Sequence, residues 1–312
     1  MKIVIAPDSF KGSLSALDVA KSIQRGIRKV EAAIETILVP MADGGEGTVQ
    51  SLTNASGGEL VELTVHDPLF RKIRSFYGIM GDGVTAVIEM AAASGLTLLS
   101  PSERNPLKTT TFGTGELILD AMNRGCRNFI IGLGGSATND GGCGMARALG
   151  VKFFDDEGKE TGPGGGELSK IRTIDFSGTD QRIKNSVFTA ACDVDNPLCG
   201  ANGASAVYGP QKGASQKDVI TLDTGLQHFA EIIKGQLNIE IKEVSGAGAA
   251  GGLGAGMMVF LNAGLERGIS IVTRITRLAE KMTGADLVIT GEGRIDFQTA
   301  FGKTPFGVMQ TA

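Results

Sequence analysis

Four apolar runs in this 312-residue chain are each followed by carboxylates. KIVIAPD ends at Asp8, TILVPMAD at Asp43, FTAACDVD at Asp193 and Asp195, and DLVITGEGRID carries Glu292 and Asp296. Taken singly, an Asp behind a strand is a common turn or helix-capping residue. As a set, with Glu46, Asp140 and Arg294 close by, they point to one acid-lined cleft, because ligands of open α/β sheets sit beyond the carboxyl ends of the strands. Acids gathered in this way repel one another unless a cation sits among them, and hard oxygen ligands select Mg2+.

Groups suited to anions lie beside the acids. PDSFKGS places Ser9 and Lys11 ahead of Gly12 and Ser13 at a helix start, and ADGGEGT places Gly44, Gly45 and Gly47 just before Thr48. Free amides at a helix N-terminus favour phosphate or carboxylate. A third stretch, IIGLGGSATNDGGCGMARALG (130–150), packs seven glycines into 21 residues. Gly132, Gly134 and Ala137 match a relaxed dinucleotide fingerprint, with Asp155 and Asp156 about 20 residues on as ribose-binding acids. That fingerprint needs a regular helix at once, whereas Gly141, Gly142 and Gly144 would each weaken its first turns by up to about 1 kcal/mol. An amide-rich nest around Gly134, Gly135 and Ser136, with Thr138, Asn139 and Asp140 as side-chain ligands to phosphate or metal, accounts for the stretch better. An NAD-dependent oxidoreductase is the rival enzyme class. The phosphate loop GxxxxGK[ST] is absent, since Phe297 stands where its first glycine would precede Gly302, Lys303 and Thr304. Protein-kinase signatures are missing, and nucleophilic Ser or Cys triads lack a partner. His66 and His228 read as structural.

The elements that must hold these groups alternate in type. A strand over 2–6, an amphipathic helix over 15–30, a strand over 36–40 and a helix over 45–54 predict a parallel βαβ unit. From Glu59 onward, three period-2 runs predict a small antiparallel or mixed sheet. A helix over 113–124 follows, with strands over 128–133, 151–156 and 187–192 and a helix over 218–235. Residues 245–268 predict one helix with a small-residue start, and DLVIT (286–290) a buried strand. TPFGVMQTA (304–312) reads as the first turns of a helix, with no later strand to return it to the sheet.

Composition narrows the class. Apolar residues make up 42% and charged residues 21%, as in an ordinary globular protein. The 46 glycines are roughly twice the usual share and fall in clusters, which marks loops where backbone approaches something closely. A net charge of −4 argues against nucleic acid or an anionic membrane surface as partner, while leaving room for a small anionic substrate. The four cysteines have no CxxC spacing and accompany no His cluster, which disfavours zinc and suits a reducing cytoplasm. MKIVIA is too short for a signal-peptide core, and no run approaches 18 apolar residues.

In order along the chain, PDSFKGS, ADGGEGT, the turn at Asp67 and Pro68, GLGGSATNDGG, CDVDNPLCG, YGPQKGAS, GAGAAGGLGAG and GEGRID resemble the class I glycerate kinase family over almost the whole length. The resemblance implies an ATP-dependent, Mg2+-requiring kinase acting on D-glycerate, in this bacterial class usually at the 2-hydroxyl. It implies two α/β domains with the active site in the cleft between them. One is a Rossmann-like parallel-sheet domain (1–58 and 257–312), the other an inserted mixed α/β domain (59–256). On this reading Asp193 and Asp195 coordinate Mg2+, with Glu292 and Asp296 as further candidates. Lys11 and Arg294 hold the glycerate carboxylate or the transferring phosphoryl group, and Asp8 or Asp43 accepts the hydroxyl proton. Ser9, Gly44, Gly45, Glu46 and the 132–142 loop contact substrate or phosphates. Family members continue beyond the point matching Ala312, so a sugar-acid-binding protein on a truncated kinase scaffold is the alternative. Oligomeric state stays open, with a homodimer as one option.

Overall fold

A computed structural model describes residues 1–10, 12–294 and 303–312. The predicted βαβ unit is present as β1 (Lys2–Ile5), α1 (Ala16–Val30), β2 (Glu35–Leu38) and α2 (Thr48–Ser56). Next come β3 (Glu59–His66), β4 (Lys72–Ile79), β5 (Thr85–Glu89), α3 (Ala91–Ser94), α4 (Phe112–Asn123) and β6 (Asn128–Gly132). The middle of the chain forms α5 (Cys143–Ala148), β7 (Lys152–Phe154), β8 (Thr173–Asp175), β9 (Val187–Ala191), α6 (Ala204–Tyr208) and α7 (Gln216–Leu237). Last are α8 (Ala249–Leu261), β10 (Gly264–Glu266), α9 (Gly268–Ile275), α10 (Leu278–Met282), β11 (Leu287–Ile289) and α11 (Thr304–Thr311).

Two sheets carry the α/β architecture. β11, β1 and β2 form a three-stranded parallel sheet, and β10-β9-β6-β5-β4-β3 a six-stranded mixed sheet in which β5, β6, β9 and β10 run parallel. β3 and β4 close that sheet as an antiparallel hairpin, as the period-2 runs predict. Register aligns the strand ends. Ile5 lies opposite Leu38 and Ile289 in one sheet, while Gly132 lies opposite Glu89 and Ala191 in the other. The loops after these strands therefore leave from one edge of each sheet. One buried cluster joins Val4, Val39 and Met41 to Val87, Ile130 and Ala191, so the two sheets pack through a shared core.

Three expectations change. DLVIT supplies β11, but among the described residues it is an edge strand with Leu287 44% exposed rather than a buried one. The stretch 245–268 is not one helix: Ala250, Gly251 and Gly252 are left-handed, Asn262 ends the helix at φ 51°, and Gly264–Glu266 pairs with β9 as an edge strand. Asn tolerates the left-handed conformation that ends a helix, and three residues then suffice for an edge strand. The strand over 151–156 is shorter and belongs to a separate hairpin with β8. Among the described residues no helix is long and apolar enough to cross a membrane, and the four cysteines are free and buried.

Candidate active site

The strand-end loops of both sheets line a cavity of about 760 Å³. Asp43, Gly44, Gly45 and Glu46 come from the three-stranded side, and Glu89, Gly134, Gly135, Ser136 and Asp193 from the six-stranded side. Glu46 also lines a neighbouring hollow of about 300 Å³ that contains Asp8 and Ser9. The two loop sets meet through glycine. Gly44 has φ +90°, and a Cβ there would stand 3.0 Å from Ala191 Cβ and 3.2 Å from Gly268 Cα. A Cβ on Gly132 would collide with the Gly44 carbonyl oxygen. Backbone against backbone at this junction is what the glycines permit.

Each predicted acid has a particular setting. Gly45 N–H donates to Asp43 Oδ1 at 3.1 Å and orients it at the cavity. Asp8 is 3% exposed and accepts from the Thr304 hydroxyl at 2.6 Å, which ties β1 to α11. Asp193 Oδ1 accepts the Gly268 N–H at 3.0 Å, and its Oδ2 lies 3.7 Å from where a Gly44 Cβ would stand. Asp195 instead pairs with Arg267 at 2.6 Å and accepts from Ser245, outside the cavity lining. Glu292 and Arg294 lie in the segment after β11, whose Gly291 carbonyl accepts the Asp8 N–H, and neither is among the residues lining the two cavities. Lys11 and Asp296 lie outside the described residues.

The glycine-rich loop divides into a wall and its support. Gly134, Gly135 and Ser136 face the cavity; Thr138, Asn139 and Asp140 are buried behind it. Asp140 accepts from both Thr110 and Thr111 hydroxyls and from the N–H groups of Thr111, Gly142 and Gly144. Burial pushes its pKa up, and these donors pull the other way. Its carboxylate thus ties the starts of α4 and α5 together. The dinucleotide reading fails on this geometry. The helix begins at Cys143 rather than beside Ala137, and Asp155 caps its own turn through the N–H groups of Glu157 and Lys159.

A profile of the glycerate kinase family matches residues 3–312. This chain belongs to the glycerate kinase family. It is 54% identical to the Bacillus subtilis glycerate kinase and 54% identical to the Escherichia coli glycerate 2-kinase, in each case over all of this chain and 82% of the relative. A crystal structure of a Salmonella typhimurium LT2 protein assigned as glycerate kinase 2 superposes at a TM-score of 0.95 and 50% identity, covering 100% of this chain and 83% of that one.

Two site residues of this glycerate kinase family chain escape the motif reading. Glu89 ends β5 and accepts the Val49 N–H at 2.9 Å, so a carboxylate already occupies the α2 N-terminus that the sequence offers to a phosphate. Burial raises its pKa, the Val49 and Gly47 amides lower it, and the charge of Glu46 adds to the rise. Lys212 is 1% exposed in the cavity wall and donates to Ser136 Oγ and the Thr138 carbonyl, both at 2.7 Å. Burial lowers it to about 7, against the field of Asp140. From the sequence, Glu89 only closes the third period-2 run, and Lys212 is only a member of YGPQKGAS, one of the motifs that carry the family resemblance.

The described residues hold no group of three or more His, Cys, Asp or Glu arranged to take a metal unaided. Mg2+ in phosphoryl transfer needs less, because one or two carboxylates suffice when phosphates and water complete its shell. Of the acids that line the cavity, Asp43, Glu46 and Asp193 meet that requirement in kind, while Glu89 is held by the α2 N-terminus.

Proposed function

We infer that this chain phosphorylates D-glycerate with ATP, on the 2-hydroxyl, to give 2-phospho-D-glycerate and ADP. The observation that carries it is the convergence of the 43–46, 134–136 and 193 loops on one cavity between the two sheets, in a member of the glycerate kinase family. Phosphoryl transfer asks for positioning and charge neutralisation, and acids interleaved with glycine backbone supply both.

Asp43 is the acceptor of the substrate hydroxyl proton. It stands at the cavity, oriented by the Gly45 amide, whereas Asp8 accepts from Thr304 and faces the smaller hollow. The 2-hydroxyl oxygen forms the new bond to the γ-phosphorus as the bond to ADP breaks, and its proton passes to Asp43. Amides of Gly134 and Gly135 border the phosphates. Asp193, with Glu46, would hold Mg2+, which would neutralise charge on the phosphate oxygens. Asp195, also expected from sequence as a ligand, pairs with Arg267 outside the cavity lining, so the proposal gives the metal to the acids that line the cavity. Lys11 and Arg294 keep their proposed part in holding carboxylate or phosphoryl oxygens. The division into two domains belongs to the same proposal. We place its second boundary after Glu266 rather than at 256/257, because α8 spans that point and β10 pairs with β9. Buried free thiols accord with a cytoplasmic setting.

The test incubates the chain with ATP, Mg2+ and D-glycerate and identifies the product by phosphorus NMR. ADP with 2-phosphoglycerate is expected. The 3-isomer overturns the regiochemistry, and glycerate binding without turnover favours the sugar-acid-binding alternative.

A further inference from the structure

Lys212 is a buried amine with neutral hydrogen-bond partners. Its Nζ donates to Ser136 Oγ and to the Thr138 carbonyl, and the carboxylate whose field reaches it, Asp140, spends its oxygens on hydroxyl and amide donors rather than on the lysine. A buried ammonium is costly unless a counter-charge meets it. The lysine sits in the cavity wall, so that counter-charge can arrive with a ligand.

Ser136 shows how the charge reaches the cavity. Its Oγ accepts from Lys212, so its own proton must point elsewhere. No described acceptor takes that proton, and Ser136 lines the cavity at 7% exposure. A hydroxyl that accepts from a cation is a stronger donor to the next group in line.

We propose that Lys212 and Ser136 act as a relay that holds an anionic oxygen of the substrate pair, phosphoryl or carboxylate, at the Gly134–Ser136 wall. This rests on the kinase reading of the cavity. Ser136 would touch the ligand, and Lys212 is the positioning residue behind it.

The test compares Ser136→Ala, Lys212→Met and the double variant, measuring calorimetric Kd for ATP and for D-glycerate separately, with kcat and KM. Losing a hydrogen bond to a charged oxygen should weaken one ligand by about 10- to 100-fold in Ser136→Ala. Lys212→Met should weaken the same ligand at least as much, and the double variant should lose no more than Lys212→Met alone. Loss confined to ATP assigns a phosphoryl oxygen; loss confined to glycerate assigns the carboxylate. Wild-type affinity for both ligands in Ser136→Ala overturns the relay, as does a Lys212→Met that lowers only the Tm. If Lys212→Met does not fold, Ser136→Ala decides alone. A wild type that binds both ligands through these residues without turning glycerate over sinks the kinase reading and keeps the relay.

Discussion

Asp43 and Asp140 both sit in glycine-rich loops, and their surroundings give them opposite work. Asp43 stands at the cavity, oriented by the Gly45 amide, and Asp140 is 1% exposed beneath hydroxyl and amide donors. Asp43→Asn should therefore cut kcat by about 10²- to 10⁴-fold with little change in Tm. Asp140→Asn should do the reverse. An amide NH2 set against N–H donors leaves buried groups unpaired at about 1–3 kcal/mol each, so the Tm falls while the folded fraction keeps its kcat. Melting curves beside steady-state rates separate the two, and equal effects on both variants would refute the assignment. Residue type and spacing made the acids and the wall glycines legible. They could not show which acid faces out, because that depends on partners distant in the chain, as with Thr111 for Asp140 and Arg267 for Asp195. Lys212 escaped for the same reason, and its burial makes a second forecast. Its folded value of about 7 lies below the ordinary 10.5, so the unfolded chain holds the extra proton between those values. Its contribution to stability thus rises as pH climbs through that window. A bound anion raises the folded value, so ligand binding at pH 8 should take up a proton, read as a dependence of binding heat on buffer ionisation enthalpy. Lys212→Met should abolish that dependence, and a wild type without it refutes the linkage.

Element types were mostly readable where periodicity was strong, as in α1, the β3–β4 hairpin and α7. The glycine-rich 245–268 stretch misled because small apolar residues satisfy a helical pattern that the backbone does not follow. Gly251 and Gly252 are left-handed, and a Cβ on either would enter the 138–141 loop, so this turn exists to let two backbones touch. Ala250 shares the turn with φ 53° and ψ 38°, a conformation costing an L-residue about 1–2 kcal/mol. Glycine removes that strain and restores up to about 1 kcal/mol of unfolded-state entropy, so Ala250→Gly should stabilise by about 0.5–1 kcal/mol. Urea denaturation measures it. A loss of stability would mean that the methyl group's contacts in the core outweigh the strain.

At the scale of the whole molecule, the site exists only while the two sheets keep their strand-end loops in contact. Gly132 is the most exacting point of that contact. Its φ lies outside the left-handed region, so alanine meets no backbone objection, yet the added Cβ would collide with the Gly44 carbonyl oxygen. Gly132→Ala is therefore a wedge between the sheets rather than a strained residue. Gly134, two residues on, would bring its Cβ to 3.3 Å from Gly45 Cα, a contact that a small shift relieves. Displacing one wall of a phosphoryl-transfer site by about 1 Å can cost about 10²-fold. We expect Gly132→Ala to lower kcat/KM by that order, and Gly134→Ala to lower it by less. The fall should appear with both substrates, because the wedge moves Asp43 and Glu46 together against Asp193 and the 134–136 wall. Steady-state kinetics with each substrate varied in turn decides it: wild-type kcat/KM in Gly132→Ala would show that the chemistry does not depend on the two loop sets meeting there.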